Sequence, residues 1–135
     1  MPTVSRAFIL TGLLYLALAM VAAVALALGA AGLGVSPALY PVYIHLLAVG
    51  WITQLIFGVA YWMFPGRVRD PGAGERVVLW STYALLNVGL LLRALSEPLL
   101  SRGGAWPAVL TASAICQLIA VVLFVGHLWP RLRAR

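Results

Sequence analysis

AFILTGLLYLALAMVAAVALAL, residues 7–28, runs through 22 positions without a charged side chain. As an α-helix rising 1.5 Å per residue it spans about 33 Å, enough to cross the ~30 Å hydrocarbon core of a bilayer. Three further stretches meet the same requirement, at 39–64, 77–95 and 106–129. The whole chain is 135 residues, 64% hydrophobic and 9% charged, with a mean hydropathy of +1.04. A soluble domain this small exposes much of its sequence and needs a polar surface that these residues do not supply. The fold expected is therefore all-α: a single-domain polytopic membrane protein, built as an antiparallel four-helix transmembrane bundle. A membrane β-barrel would need strands of alternating polarity, which these runs lack. Ala25, Leu26 and Ala27 resemble a signal-peptide cleavage site, but the run ahead of them exceeds the roughly 7–15 residues of a secretory apolar region, so it is read as a retained first helix.

The breaks between the runs are chemically plain. Residues 29–37 form an uncharged Gly/Ala/Ser/Pro linker, 65–76 hold two prolines, three glycines and most of the loop charge, and Pro98 to Gly104 closes the third run. Short connections join neighbours that run up and down. All nine basic residues are arginine, and the formal charge is +6. Arg6, Arg67, Arg69, Arg76, Arg131, Arg133 and Arg135 fall on one side of the expected bundle and Arg102 on the other, which places both termini in the cytoplasm of a cell with an inner (plasma) membrane. Arginines distributed in this way are topology signals and headgroup partners for membrane lipid, and no nucleic-acid surface is expected. Tyr40, Tyr43, Trp62, Trp106 and Trp129 fall near span ends, where amphipathic rings settle. Cys116 stands alone in an apolar run and reads as a packing residue.

Polar groups inside the spans are costly and direct attention to function. Gln54, Asn87 and Gln117 fall near the midplane of the second, third and fourth runs, the arrangement of an interhelical hydrogen-bond layer. Gly50, Gln54, Gly58 and Tyr61 share one stripe that permits close helix approach. His45, nine residues before Gln54, is expected on the opposite side of the second helix at about 100° per residue, with Val49, Ile52, Ile56 and Met63. Such a histidine is either hydrated near the headgroups or a ligand to an apolar macrocycle. Arg93 and Glu97, one turn apart, come at the depth of His45 and suit a salt bridge or the pairing of Arg93 with an anion. His127 lies near the other membrane face, about 20 Å away in depth, where a headgroup contact is the simpler role.

The stretch HLLAVGWITQLIFGVAYWMFP, His45 to Pro65, resembles the second-helix region of the heme–copper oxidase catalytic subunit (cytochrome c oxidase subunit I) superfamily, closest to its bacterial high-affinity and nitric-oxide-reductase-like branches. The likeness rests on His45, Gly50-Trp51, Ile56-Phe57-Gly58 and Tyr61 ahead of Pro65. It covers about 21 residues, and Gly, Trp and Tyr are common in membrane helices. The resemblance implies that His45 is an axial ligand of heme b, entered from the outer side, with Trp51 and Tyr61 as pocket or structural residues and Arg93 as a propionate partner. The chain departs from that family in having four spans and no histidine cluster for copper and a second heme, so it is no complete oxygen or nitric oxide reductase. A heme here would be five-coordinate, take a non-histidine second ligand, or be shared across a homo-oligomer.

Two functions follow. One is a heme-b-binding membrane protein in electron transfer, heme handling or gas sensing, resembling a fragment of oxidase subunit I. The other is a non-catalytic subunit or assembly factor of a respiratory complex. No nucleophile–base pair, phosphate loop or carboxylate pair points to independent enzymatic turnover. The spans also lack the acidic midplane residue and inverted repeat of a small transporter.

Overall fold

A computed structural model describes residues 1–32, 38–64 and 72–133. The linker positions 33–37 and 65–71, with Arg67 and Arg69, and the terminal Arg135 lie outside the described residues. Four long helices carry the chain: α1 Thr3–Ala30, α2 Leu39–Met63, α3 Ala73–Ser96 and α4 Trp106–Arg133. Each is long and apolar enough to cross a membrane. The expected spans lie within these helices to one residue at 64, and the helices extend beyond most of them by a few residues.

The helix ends have local causes. Pro98 brings no N–H to the carbonyl of residue 94, so α3 tightens after Ser96 into a 3₁₀ segment, Glu97–Arg102. Gly103 and Gly104 then turn the chain at φ of 70° and 72°, a conformation that a Cβ would strain. Pro41 and Pro107 sit in the first turns of α2 and α4, where a missing donor costs nothing.

The helices associate as two close hairpins. In the first, α1 lies along α2, with Phe8 and Gly12 on the α1 side meeting Gly58 and Gln54, and Tyr15 meeting Gly50, so that rising numbers on one helix pair with falling numbers on the next. A Cβ on Gly50 would stand 2.8 Å from Cβ and Cγ of Tyr15 and 3.0 Å from Cδ2 of Leu90, so only glycine lets the helices meet there. All four residues of the expected stripe, Gly50, Gln54, Gly58 and Tyr61, are buried. In the second hairpin α3 lies along α4, closest at Gly89, whose carbonyl accepts a 2.7 Å hydrogen bond from Ser113 Oγ.

Between the hairpins runs a seam filled by large side chains. Phe57 of α2 stacks on Phe124 of α4 with centroids 3.8 Å apart, and Phe8 meets Tyr83 edge to face at 5.2 Å. The outward faces stay apolar: on α1, Val4, Phe8, Tyr15 and Ala19 are buried while Leu10, Leu14, Val21 and Val24 are exposed. A helix apolar on all sides is matched to lipid or to a large core.

The middle of α2 departs from the expectation. Leu46–Thr53 is a π-helix, closed by i→i+5 bonds and reinforced by Thr53 Oγ1 donating to the Ala48 carbonyl at 2.9 Å. A π turn holds more residues than an α turn, so each residue advances by less than ~100°. His45 is thereby rotated out of the position expected opposite Gln54, and both side chains reach α3.

Candidate functional site

Polar chemistry is concentrated in the seam. At mid-height, Asn87 Oδ1 accepts from Tyr15 Oη at 3.0 Å and from Gln54 Nε2 at 3.1 Å, and Asn87 Nδ2 donates to the Tyr83 carbonyl at 2.8 Å. The Tyr83 hydroxyl meets Thr11 Oγ1 at 2.7 Å. The expected layer of Gln54, Asn87 and Gln117 is therefore only partly right. Gln54 and Asn87 join, but Gln117 is turned aside, its Nε2 3.5 Å from Ser113 Oγ on its own helix. Tyr15 takes the third place. A tyrosine in an apolar run reads as an anchor or core residue, and the pairing of Tyr15 with Asn87 depends on how the two hairpins rotate.

One end of the seam gathers His45, Arg93 and Glu97, the residues that the depth argument placed together. His45 is in the first turns of α2, Arg93 in the last turn of α3, where a cation suits the helix C-terminus, and Glu97 opens the 3₁₀ segment. Arg93 Nη1 donates to His45 Nε2 at 2.9 Å. A guanidinium has no acceptor, so Nε2 must present its lone pair and the ring carries its proton on Nδ1. Nδ1 lies 2.8 Å from the Pro41 carbonyl and 3.3 Å from Glu97 Oε1. Arg93 Nε is also 3.3 Å from Glu97 Oε1, and Glu97 Oε2 is buried without a hydrogen-bond partner. The Glu97 side chain is 9% exposed and that of Arg93 19%.

Arg93 also borders a groove of about 310 Å³, at the small end of ligand-sized cavities. Val49 and Thr53 of α2 and Leu118 and Val121 of α4 form its sides, and Leu86 of α3 contributes to its floor. Arg93 and Gln117 are its largest polar groups. Val49 follows His45 by one turn, so the imidazole lies beyond the groove's Arg93 end.

The opposite end holds a second charged cluster, about 33 Å away along α3 from the 22-residue separation of Glu75 and Glu97. Glu75 Oε1 accepts from Tyr61 Oη at 3.1 Å, pairs with Arg131, and lies 3.6 Å from His127 Nε2. Arg131 donates from Nη1 to the Phe64 carbonyl at 3.1 Å and places its guanidinium 4.9 Å over the Tyr61 ring. His127 thus lies against Glu75 and Tyr61 with a side chain 15% exposed, contacts that its depth in the sequence did not announce. The two histidines belong to different sites.

Of the four residues expected at one cofactor site, His45 and Arg93 are in direct contact. Trp51 lies between the charged ends on α2, half-buried, with Nε1 buried and lacking a hydrogen-bond partner. Tyr61 belongs to the Glu75 cluster, 16 residues or about 24 Å along α2 from His45. Sequence reasoning misses the Glu75–His127–Arg131 set because Arg131 reads as a topology signal, His127 as a headgroup contact and Glu75 as loop charge. Its sequence signal is His127 and Arg131 one turn apart near the end of α4, at the depth where α3 begins with Glu75. Among the described residues no group of three or more His, Cys, Asp or Glu side chains is placed to hold a metal ion, and Cys116 is a half-buried free thiol. Comparison with known proteins finds no matching family model, no matching curated protein and no matching solved structure.

Proposed function

We propose that this chain is an integral protein of the inner (plasma) membrane, an antiparallel four-helix bundle with both termini in the cytoplasm, that binds heme b at its His45–Arg93 end. The observation that carries this reading is Arg93: one guanidinium touches the imidazole of His45 and also borders an apolar groove open between α2 and α4. A macrocycle with apolar faces and carboxylates at one edge calls for such a combination of apolar walls, a cation at one end and an imidazole within reach. The residues fit in kind. His45 would hold the iron through Nε2, Arg93 would pair with a propionate, and the Pro41 carbonyl, 2.8 Å from Nδ1, would orient the ring as the acceptor behind a ligating histidine.

Held by these residues, an iron porphyrin would supply one-electron transfer or binding of a small gas. The chain's own residues confine that chemistry. Leu86, Leu118 and Val121 keep the groove apolar, and the Phe57–Phe124 stack closes the seam toward the Glu75 cluster. His45 is the only imidazole at this end among the described residues, so a second histidine ligand would come from a second copy of the chain meeting the α2–α4 face. The exposed rings of Tyr40, Trp62 and Trp129 at helix ends support the membrane placement. The test is a reduced-minus-oxidised absorption spectrum of protein expressed with ample heme supply. A b-type spectrum in the wild type that is abolished by His45→Ala is expected, and colourless wild-type protein overturns the reading.

A further inference from the structure

His45 has one nitrogen able to bind a metal, and that nitrogen is already engaged. Nδ1 carries the ring proton against the Pro41 carbonyl at 2.8 Å, and Nε2 accepts from Arg93 at 2.9 Å. Any ligation by His45 therefore requires Arg93 to let go. Arg93 is placed to do so. It borders the groove, it reaches His45 through one terminal nitrogen, and its Nε is buried without a hydrogen bond of good geometry, 3.3 Å from Glu97 Oε1.

We infer that Arg93 is a latch on His45: it caps Nε2 while the groove holds no anion, and it turns from Nε2 to a carboxylate in the groove, so that anion capture and exposure of the ligating nitrogen are one event. The carboxylate is identified as a porphyrin propionate through the heme reading; the cap itself stands without it. Arg93 gains a charge-assisted, two-pronged partner in exchange for a neutral ring nitrogen. Glu97 keeps one neighbour when the guanidinium turns, because its Oε1 lies 3.3 Å from His45 Nδ1, the nitrogen whose proton goes to the Pro41 carbonyl. Arg93 is in this sense a specificity-determining residue, which admits porphyrins bearing carboxylates and holds His45 closed to neutral ones.

The test has two parts on detergent-purified full-length protein. First, ¹⁵N-histidine NMR of the heme-free protein compares wild type with Arg93→Ala and with Arg93→Ala/Glu97→Gln, the second variant avoiding a buried unpaired carboxylate. An Nε2 resonance of His45 that shifts in both variants is expected, and an unchanged resonance overturns the cap. Second, each protein is titrated with ferric protoporphyrin IX and with its dimethyl ester, which lacks the carboxylates. Wild type is expected to favour the diacid by roughly ten- to hundredfold, the scale of a hydrogen bond to a charged group. The variants are expected to take both porphyrins equally, and to bind the ester more tightly than wild type does. Equal binding of acid and ester by wild type, or a preference that survives loss of Arg93, overturns the latch. No uptake of either porphyrin by any protein overturns the heme reading and the latch with it, while the Nε2 resonance still decides the cap.

Discussion

Replacing Asn87 by leucine tests whether the polar seam holds the two hairpins together. The substitution keeps side-chain size but removes the acceptor shared by Tyr15 Oη and Gln54 Nε2. Each interhelical hydrogen bond in a membrane protein is worth about 0.6 kcal/mol on average and up to about 1.7, so two of them sum to roughly 1–3 kcal/mol. The loss is aggravated at Gln54, which is fully buried and whose Oε1 already lacks a partner, so the variant strands an entire amide inside the bundle. Removing the whole network should cost less than breaking it. Tyr15→Phe/Gln54→Leu/Asn87→Leu leaves no orphaned group and is expected to be more stable than Asn87→Leu alone. Reversible unfolding in mixed micelles, followed by circular dichroism, measures both. An Asn87→Leu variant within about 0.5 kcal/mol of wild type, or a triple variant less stable than the single one, refutes the reasoning.

Gly50→Ala places a methyl 2.8 Å from the Tyr15 Cβ, an atom fixed to the α1 backbone, and is expected to destabilise by about 1–3 kcal/mol in the same assay. Glu75→Gln weakens the partner of the mostly buried Arg131 and leaves that charge uncompensated, with an expected cost of about 1–3 kcal/mol, relieved when Arg131→Gln is added.

Much of the architecture could be read from residue order because apolar runs of this length have few backbone solutions besides helix. Length and apolarity locate the four helices, and a constant rise per residue brings His45, Arg93 and Glu97 to one level and sets His127 at another. Rotation about the helix axes was less legible. Nothing in LLAVGWIT announces a π turn, and a steady 100° step therefore turned His45 away from the seam that it enters. Gln117 was assigned to the midplane layer by depth alone, yet the approach of α3 and α4 at Gly89 aims it at the groove. The Glu75–Arg131–His127 cluster was legible as charge and opaque as contact. Arginines near a span end serve equally as topology signals and as partners for a carboxylate on the next helix, and only packing separates the two roles.

The central claim, heme b on His45, is tested most directly by reconstituting heme-free wild type, His45→Ala and His127→Ala in parallel and recording the Soret band and heme-to-chain ratio of each. The account predicts a band in the wild type, its retention in His127→Ala and its loss in His45→Ala. A band that survives in His45→Ala, or that disappears only in His127→Ala, contradicts it.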